Sequence, residues 1–195
     1  MMPQTLTRED AFALLNEYTK TEHLITHALS VEGVMRHFAA LQNEDAEKWG
    51  VVGLLHDLDY DQFPGEHCIK VQEILRERGI GEEIIHAVAS HGYGLCCDVK
   101  PEAFMEKVLY TVDELTGLIT ACALLRPSKS VLDMEVKSVK KKMKTKGFAA
   151  GVNREVIQQG AEMMGWELGD VIAETIQGMR RVAPAIGLQG NLPME

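Results

Sequence analysis

Seven histidines crowd the first half of the chain: His23, His27, His37, His56, His67, His86 and His91. His56 is followed directly by Asp57 and preceded by the apolar run Val51-Val52-Gly53-Leu54-Leu55. Such a run buries itself, and an ionised Asp carried in with it is costly unless something pairs with both it and the imidazole. A divalent cation does so, taking neutral imidazole nitrogen and carboxylate oxygen together. Asp113 raises the same question within Val108-Leu109-Tyr110-Thr111-Val112-Asp113-Glu114-Leu115. It is either an exposed acid beside Glu114 or a buried one that wants a cation.

These residues need a scaffold, and the apolar spacing supplies a helical one. Thr7 and Asp10 form a capping-box pattern, with Ala11, Leu14 and Leu15 on one face beyond it. Further helices are predicted over residues 22–41, 44–56, 67–78, 82–90, 101–124, 135–146, 153–164 and 168–182, with a loop at 59–65. Pro101 suits a first helical turn, and His91-Gly92-Tyr93-Gly94 ends the helix before it. No alternating strand pattern occurs. The expected fold is all-α, one helical domain over residues 1–184 with a loose tail at 185–195.

Composition narrows the function. With 195 residues, 46% of them apolar, the chain can bury about 70% of its unfolded surface, which excludes disorder. Cys68, Cys96, Cys97 and Cys122 form no C-x-x-C pair, and the opening residues 1–5 do not read as a signal peptide. A cytoplasmic protein with reduced thiols and no membrane span is expected. The net charge of −9 argues against long nucleic acid, yet residues 126–154 carry nine Lys or Arg against Asp133 and Glu135. An acidic body with one basic segment suits a small anionic ligand.

The ordered set formed by His27 in His27-Ala28-Leu29-Ser30-Val31, then Gly53-Leu54-Leu55-His56-Asp57, then Asp113 resembles the HD-domain superfamily of metal-dependent phosphohydrolases. The resemblance covers about residues 20–125. It implies a helical bundle with a central metal site, His27, His56, Asp57 and Asp113 as ligands, and His56 and Asp57 as the catalytic pair. In the branch that hydrolyses dinucleotide polyphosphates, two further histidines hold a second metal. His67 and His91 match them, and Asp57 would then bridge the two ions. One or two divalent ions (Fe, Mn, Ni, Zn or Mg) are implied.

This sequence departs from the relatives in three places. Gly92 stands where that branch usually has Thr, no Lys follows His56-Asp57, and the Gly-Tyr-Pro signature of cyclic-dinucleotide phosphodiesterases is incomplete. Asp59 and Asp61 are read as caps of the loop.

The remaining candidates concern substrate. Lys137 and Lys140 share a helix face with Lys141 and Lys144, and Arg154 follows a tight loop capped by Asn153. Arg154, Lys137 and Lys140 are expected to grip phosphate oxygens, with His86 as a further substrate contact. His23 is placed at the rim and His37 on the surface. Cys96 and Cys97 are read as incidental. The expected activity is hydrolysis of a phosphate ester or anhydride of a small molecule, a nucleotide by preference, in a chain that can also form a homodimer. Di-iron oxygenation on the same ligands, or a non-catalytic binding module, are the alternatives.

Overall fold

The computed structural model describes residues 6–192, so the opening stretch 1–5 lies outside the described residues. Among the described residues nine α-helices follow one another: α1 (Arg8–Tyr18), α2 (Glu22–Gln42), α3 (Ala46–Leu55), α4 (Lys70–Glu77), α5 (Glu82–Ala89), α6 (Phe104–Leu124), α7 (Val136–Met143), α8 (Arg154–Met164) and α9 (Leu168–Arg181). Short 3-10 turns lie at Pro64–Glu66 and Ser90–Gly92. No strand occurs among the described residues, so the all-α expectation holds. No helix among them is long and apolar enough to cross a membrane.

Local chemistry sets the boundaries. The Thr7 hydroxyl and the Asp10 carboxylate cap α1 reciprocally, as the spacing predicts. Asp45 caps α3 and Asn153 caps α8 through backbone amides of their first turns. Asp61 accepts the amides of Lys20 at 2.7 Å and Thr21 at 3.0 Å, tying its loop to the start of α2. Helix α6 starts at Phe104, later than Pro101 suggests, because Glu106 accepts the amides of Glu102 at 2.6 Å and Ala103 at 3.0 Å.

Helix α2 lies at the centre, packed against α3, α6 and α9. One continuous apolar cluster runs from Ala11 to Leu188 and includes Phe38, Leu55, Leu109, Leu115 and Ile119. Trp49, Val52 and Leu55 repeat inward on α3 as expected, but every residue of Trp49–Leu55 is buried. Charge also helps to lock α2. The Glu32 carboxylate, 5% exposed, accepts Arg8 Nε at 2.6 Å and Arg36 Nε at 2.9 Å. Glu32→Ala should therefore lower stability by about 2 kcal/mol, read as a lower urea midpoint at unchanged slope.

Two readings of the sequence change. His37 is not on the surface: it is 6% exposed and its Nε2 meets Glu174 at 2.6 Å, joining α2 to α9. Nor is the tail from Ala185 loose as far as residue 192. Ile186 and Leu188 are buried, and the Leu188 carbonyl accepts the Val131 amide at 2.8 Å. Gly190, at φ +63°, packs where a Cβ would lie 2.1 Å from the Ser128 carbonyl. The glycines that suggest a frayed end here make close turns. Residues 193–195 lie outside the described residues.

Candidate metal centre

Each histidine of the site is aimed by its own neighbourhood. His56 caps α3 and its Nδ1 lies 2.7 Å from the Gly53 carbonyl. His91, in the 3-10 turn after α5, repeats the device with Nδ1 2.6 Å from the Val88 carbonyl. A carbonyl only accepts, so both Nδ1 atoms carry hydrogen and both Nε2 atoms are left to face a neighbouring imidazole and Asp57. His67 does not open a helix as expected, because α4 starts at Lys70. It is held instead by Asp59, whose Oδ1 accepts Nδ1–H at 2.8 Å. Asp59 is fully buried, and its Oδ2 accepts the Val71 amide at 2.9 Å. Thus Asp59 is more than a loop cap: it orients His67 in the manner of carboxylates behind metal-bound histidines.

His27 projects from α2 and Asp113 from the middle of α6. Two pairs of imidazoles result. His27 and His56 bring their Nε2 atoms to 3.2 Å, and His67 and His91 bring theirs to 3.1 Å. Asp57 stands between the pairs. Its Oδ2 lies 3.7 Å from His27 Nε2 and 3.4 Å from His56 Nε2, while Oδ1 lies 3.5 Å from His67 Nε2 and 3.4 Å from His91 Nε2. Asp113 Oδ1 completes the first group at 2.9 Å from His27 Nε2 and 3.4 Å from His56 Nε2. The groups His27–His56–Asp57–Asp113 and Asp57–His67–His91 each have the donor types and spacing to hold a metal ion.

The electrostatics fit a site built for cations. Burial alone would push the Asp57 and Asp113 carboxyls up. The facing imidazoles outweigh it, holding Asp57 well below the carboxylate range and Asp113 below it too. His56 and His91 are likewise opposed by burial, yet the carboxylates raise both above the usual imidazole value. Protons and a metal ion would thus compete for the same inward nitrogens, and binding of a metal there would displace protons.

These residues open onto a cavity of about 330 Å³ lined also by Tyr60, Gly92, Leu95, Cys96, Glu114 and Val152. Tyr60 stacks edge-on to His67 with ring centroids 5.0 Å apart. Glu114, raised by burial, accepts the Asn153 amide at 2.9 Å and so fixes the start of α8 against the site. Neither Tyr60 nor Glu114 carries a spacing signal in the sequence. A larger cavity of about 880 Å³ adjoins, sharing His27 and Gly117 and walled by His23, Thr120, Leu124 and Pro184–Leu188. His23 is exposed at this rim, as expected.

The four expected substrate contacts are not brought here. Arg154 turns its guanidinium to backbone carbonyls, with Nε 2.9 Å from Met143 O, Nη1 3.0 Å from Val152 O, and Nη2 on Phe148 O. Four of its five N–H donors are taken by backbone carbonyls at the end of α7 and in the loop before α8, and the side chain lines neither cavity. Lys137 is 80% exposed and pairs with Glu135, while Lys140 is exposed on α7; neither lines either cavity. His86 meets Glu106 at 2.8 Å near the start of α6 and lines neither cavity, although α5 ends at Ala89, between His86 and His91. Arg154→Ala should lower stability by about 2 kcal/mol and leave KM for any substrate within twofold, about the noise of such comparisons. Thermal melts and initial rates on the same preparation check both.

Comparison with known proteins agrees with the geometry. A family model described as HD domain matches residues 24–96, the stretch that contributes His27, His56, Asp57, His67 and His91. This match supports the HD superfamily. Ribonuclease Y of Nitratidesulfovibrio vulgaris (strain DP4) is 27% identical over 100 residues, covering 50% of this chain and 18% of that protein. Ribonuclease Y of Oleidesulfovibrio alaskensis is 27% identical over 101 residues, with the same coverage. The matched stretch is thus under a fifth of the length of these relatives. No solved structure gives a significant match.

Proposed function

We propose that this chain is a metal-dependent phosphohydrolase that binds two divalent ions and cleaves a phosphate ester or anhydride of a small molecule, a nucleotide by preference. The observation that carries the reading is Asp57. Its two oxygens face two separate imidazole pairs whose nitrogens stand 3.2 Å and 3.1 Å apart. Lone pairs aimed at one another at that distance are unfavourable unless protons or cations lie between them. When bound, divalent ions supply an activated water and positive charge over phosphoryl oxygens.

The chain's own contribution is positioning. Gly53, Val88 and Asp59 fix the tautomers of His56, His91 and His67, so that the inward nitrogens need no rearrangement to bind. Asp57 holds the two groups at one spacing. Among the described residues no Lys or Arg lines either cavity, so bound ions would carry nearly all the positive charge that meets the phosphate. The small site cavity and the net charge of −9 favour a small ligand over a long RNA. The ribonuclease Y relatives are consistent with phosphodiester cleavage.

The test is phosphate or nucleotide release from metal-loaded protein. A panel of nucleoside monophosphates, dinucleotide polyphosphates, cyclic dinucleotides and short oligoribonucleotides would be offered with manganese, iron, nickel, zinc or magnesium. Metal-dependent release from a small nucleotide supports the reading. Oxygen consumption by iron-loaded protein without phosphate release would replace it with di-iron oxygenation. Cleavage confined to the oligoribonucleotides would move the substrate to RNA.

A further inference from the structure

The smaller cavity is accounted for by the candidate ligands that line it, but the larger one, of about 880 Å³, has no part in the reading above. It shares only His27 and Gly117 with the smaller cavity. Both volumes fall in the range of small-molecule sites.

Gly117 is the residue that packing does not explain. Among the described residues seven glycines lie within α-helices, and at six of them a Cβ would come within 3.0 Å of a neighbouring atom. A Cβ at Gly160 would lie 2.0 Å from Thr111 Oγ1, and one at Gly178 2.7 Å from Val34 Cα. At Gly117 it would meet only Val152 Cγ2 at 3.7 Å, an ordinary contact. Yet Gly117 lies in the interior of α6, where glycine is less favourable than alanine. It weakens its helix without easing any contact, and the space it leaves is the junction of the two cavities.

The wall of the larger cavity defines what fits it. Leu24, Leu124, Ile186 and Leu188 give it an apolar side, with Leu124 53% exposed. The hydroxyls of Thr26 and Ser30 donate to the Glu22 and Thr26 carbonyls, at 3.0 and 2.9 Å, which leaves them lone pairs to offer a ligand. No Lys or Arg lines this wall, and its one carboxylate is Glu22. A group that fits here is partly apolar, donates hydrogen bonds and carries no phosphate, which would meet acceptors and a like charge.

We propose that the larger cavity holds the alcohol part of the substrate, a neutral nucleoside, and that Gly117 keeps open the passage from it to the metal centre. This rests on the phosphohydrolase reading and narrows it to phosphomonoesters. One phosphoryl group lies among the imidazoles and carboxylates, and an uncharged leaving alcohol lies beyond Gly117. Water's oxygen bonds to phosphorus, the ester P–O bond breaks, and the alcohol leaves with one of water's protons. Nucleoside triphosphates and dinucleotide polyphosphates are disfavoured, because their further phosphates meet no cationic side chain in either cavity.

Zinc-loaded protein titrated with the four common ribonucleosides, followed by ligand-observed NMR, tests the subsite with nothing to hydrolyse. At least one is expected to bind. Gly117→Leu, which puts a side chain in the passage, should weaken it at least about 10-fold while both zinc equivalents stay. Gly117→Ala should melt about 2–4 °C higher than the unsubstituted chain. A lower melting temperature would show that packing needs the glycine and would remove the passage. In initial rates, 5′-monophosphates should exceed the matched 5′-triphosphates at least about 10-fold in kcat/KM. The reverse order would overturn the restriction to monoesters.

Should Gly117→Leu fail to fold, Thr120→Phe, one turn further along α6 in the same wall, gives the same decision. Two zinc equivalents with no ribonucleoside bound, or binding unchanged in the folded variants, would overturn the subsite and leave the phosphohydrolase reading standing. A ribonucleoside bound by a chain that takes up no zinc would keep the subsite and remove the two-ion reading.

Discussion

Asp57→Ala, purified without chelator, should retain the helical fold, carry no stoichiometric metal and lose at least about 10³-fold in kcat/KM, the scale of removing a preorganised electrostatic group. The loss is this large because one side chain serves both groups. Its Oδ2 lies 3.4 Å from His56 Nε2 and its Oδ1 3.4 Å from His91 Nε2, so truncation takes an oxygen from each. Elemental analysis and circular dichroism on the same sample separate loss of metal from loss of fold. A variant that keeps two equivalents and its activity would mean that Asp57 is only a buried counter-charge to four imidazoles. Asp113→Ala makes a contrast, since its Oδ1 faces only His27 and His56. It should spare the second equivalent.

Asp59→Asn should weaken the second equivalent by about 10- to 100-fold and leave the first unchanged, although Asp59 itself faces no cation. The carboxylate accepts twice, from His67 Nδ1–H at 2.8 Å and from the Val71 amide at 2.9 Å. An amide of the same shape has one acceptor oxygen and must present N–H to one of those donors. If the oxygen stays on Val71, the His67 tautomer reverses and Nε2 acquires the hydrogen that blocks ligation. Calorimetric titration with zinc, fitted to two sites, resolves the two equivalents. Equal weakening of both, or of neither, would remove the orienting role.

What the sequence made legible depended on how local each signal was. The helices were readable because their apolar faces repeat within a few residues, as Ala28, Val31, Met35 and Phe38 do on α2. Four of the six candidate ligands came from an ordered motif and His67 and His91 from the resemblance to one branch, and the structure places their donor atoms in two groups that share Asp57. Direction was the unreadable quantity. Arg154 has the charge for a phosphate, yet backbone carbonyls within eleven positions of it claim its guanidinium first. His37 looked exposed because its partner Glu174 lies 137 positions away. Asp59 gave no sign of its second role, since its two donors stand eight and twelve positions on with no periodicity that would single them out. Cys68 and Cys96 are 28 positions apart, and only the fold shows that their sulfurs touch.

The wall of the larger cavity adds a consequence of another kind. Pro184–Leu188 form part of its wall, held by the Leu188 carbonyl on the Val131 amide, and His27 also lines it. None of these five wall residues is a candidate ligand, and none lies in the stretch matched as HD domain. On the proposed reading, chemistry and selectivity would therefore be encoded in separate lengths of polypeptide. Exchanges at 184–188 can reshape the space offered to a substrate while every inward nitrogen and oxygen keeps its place.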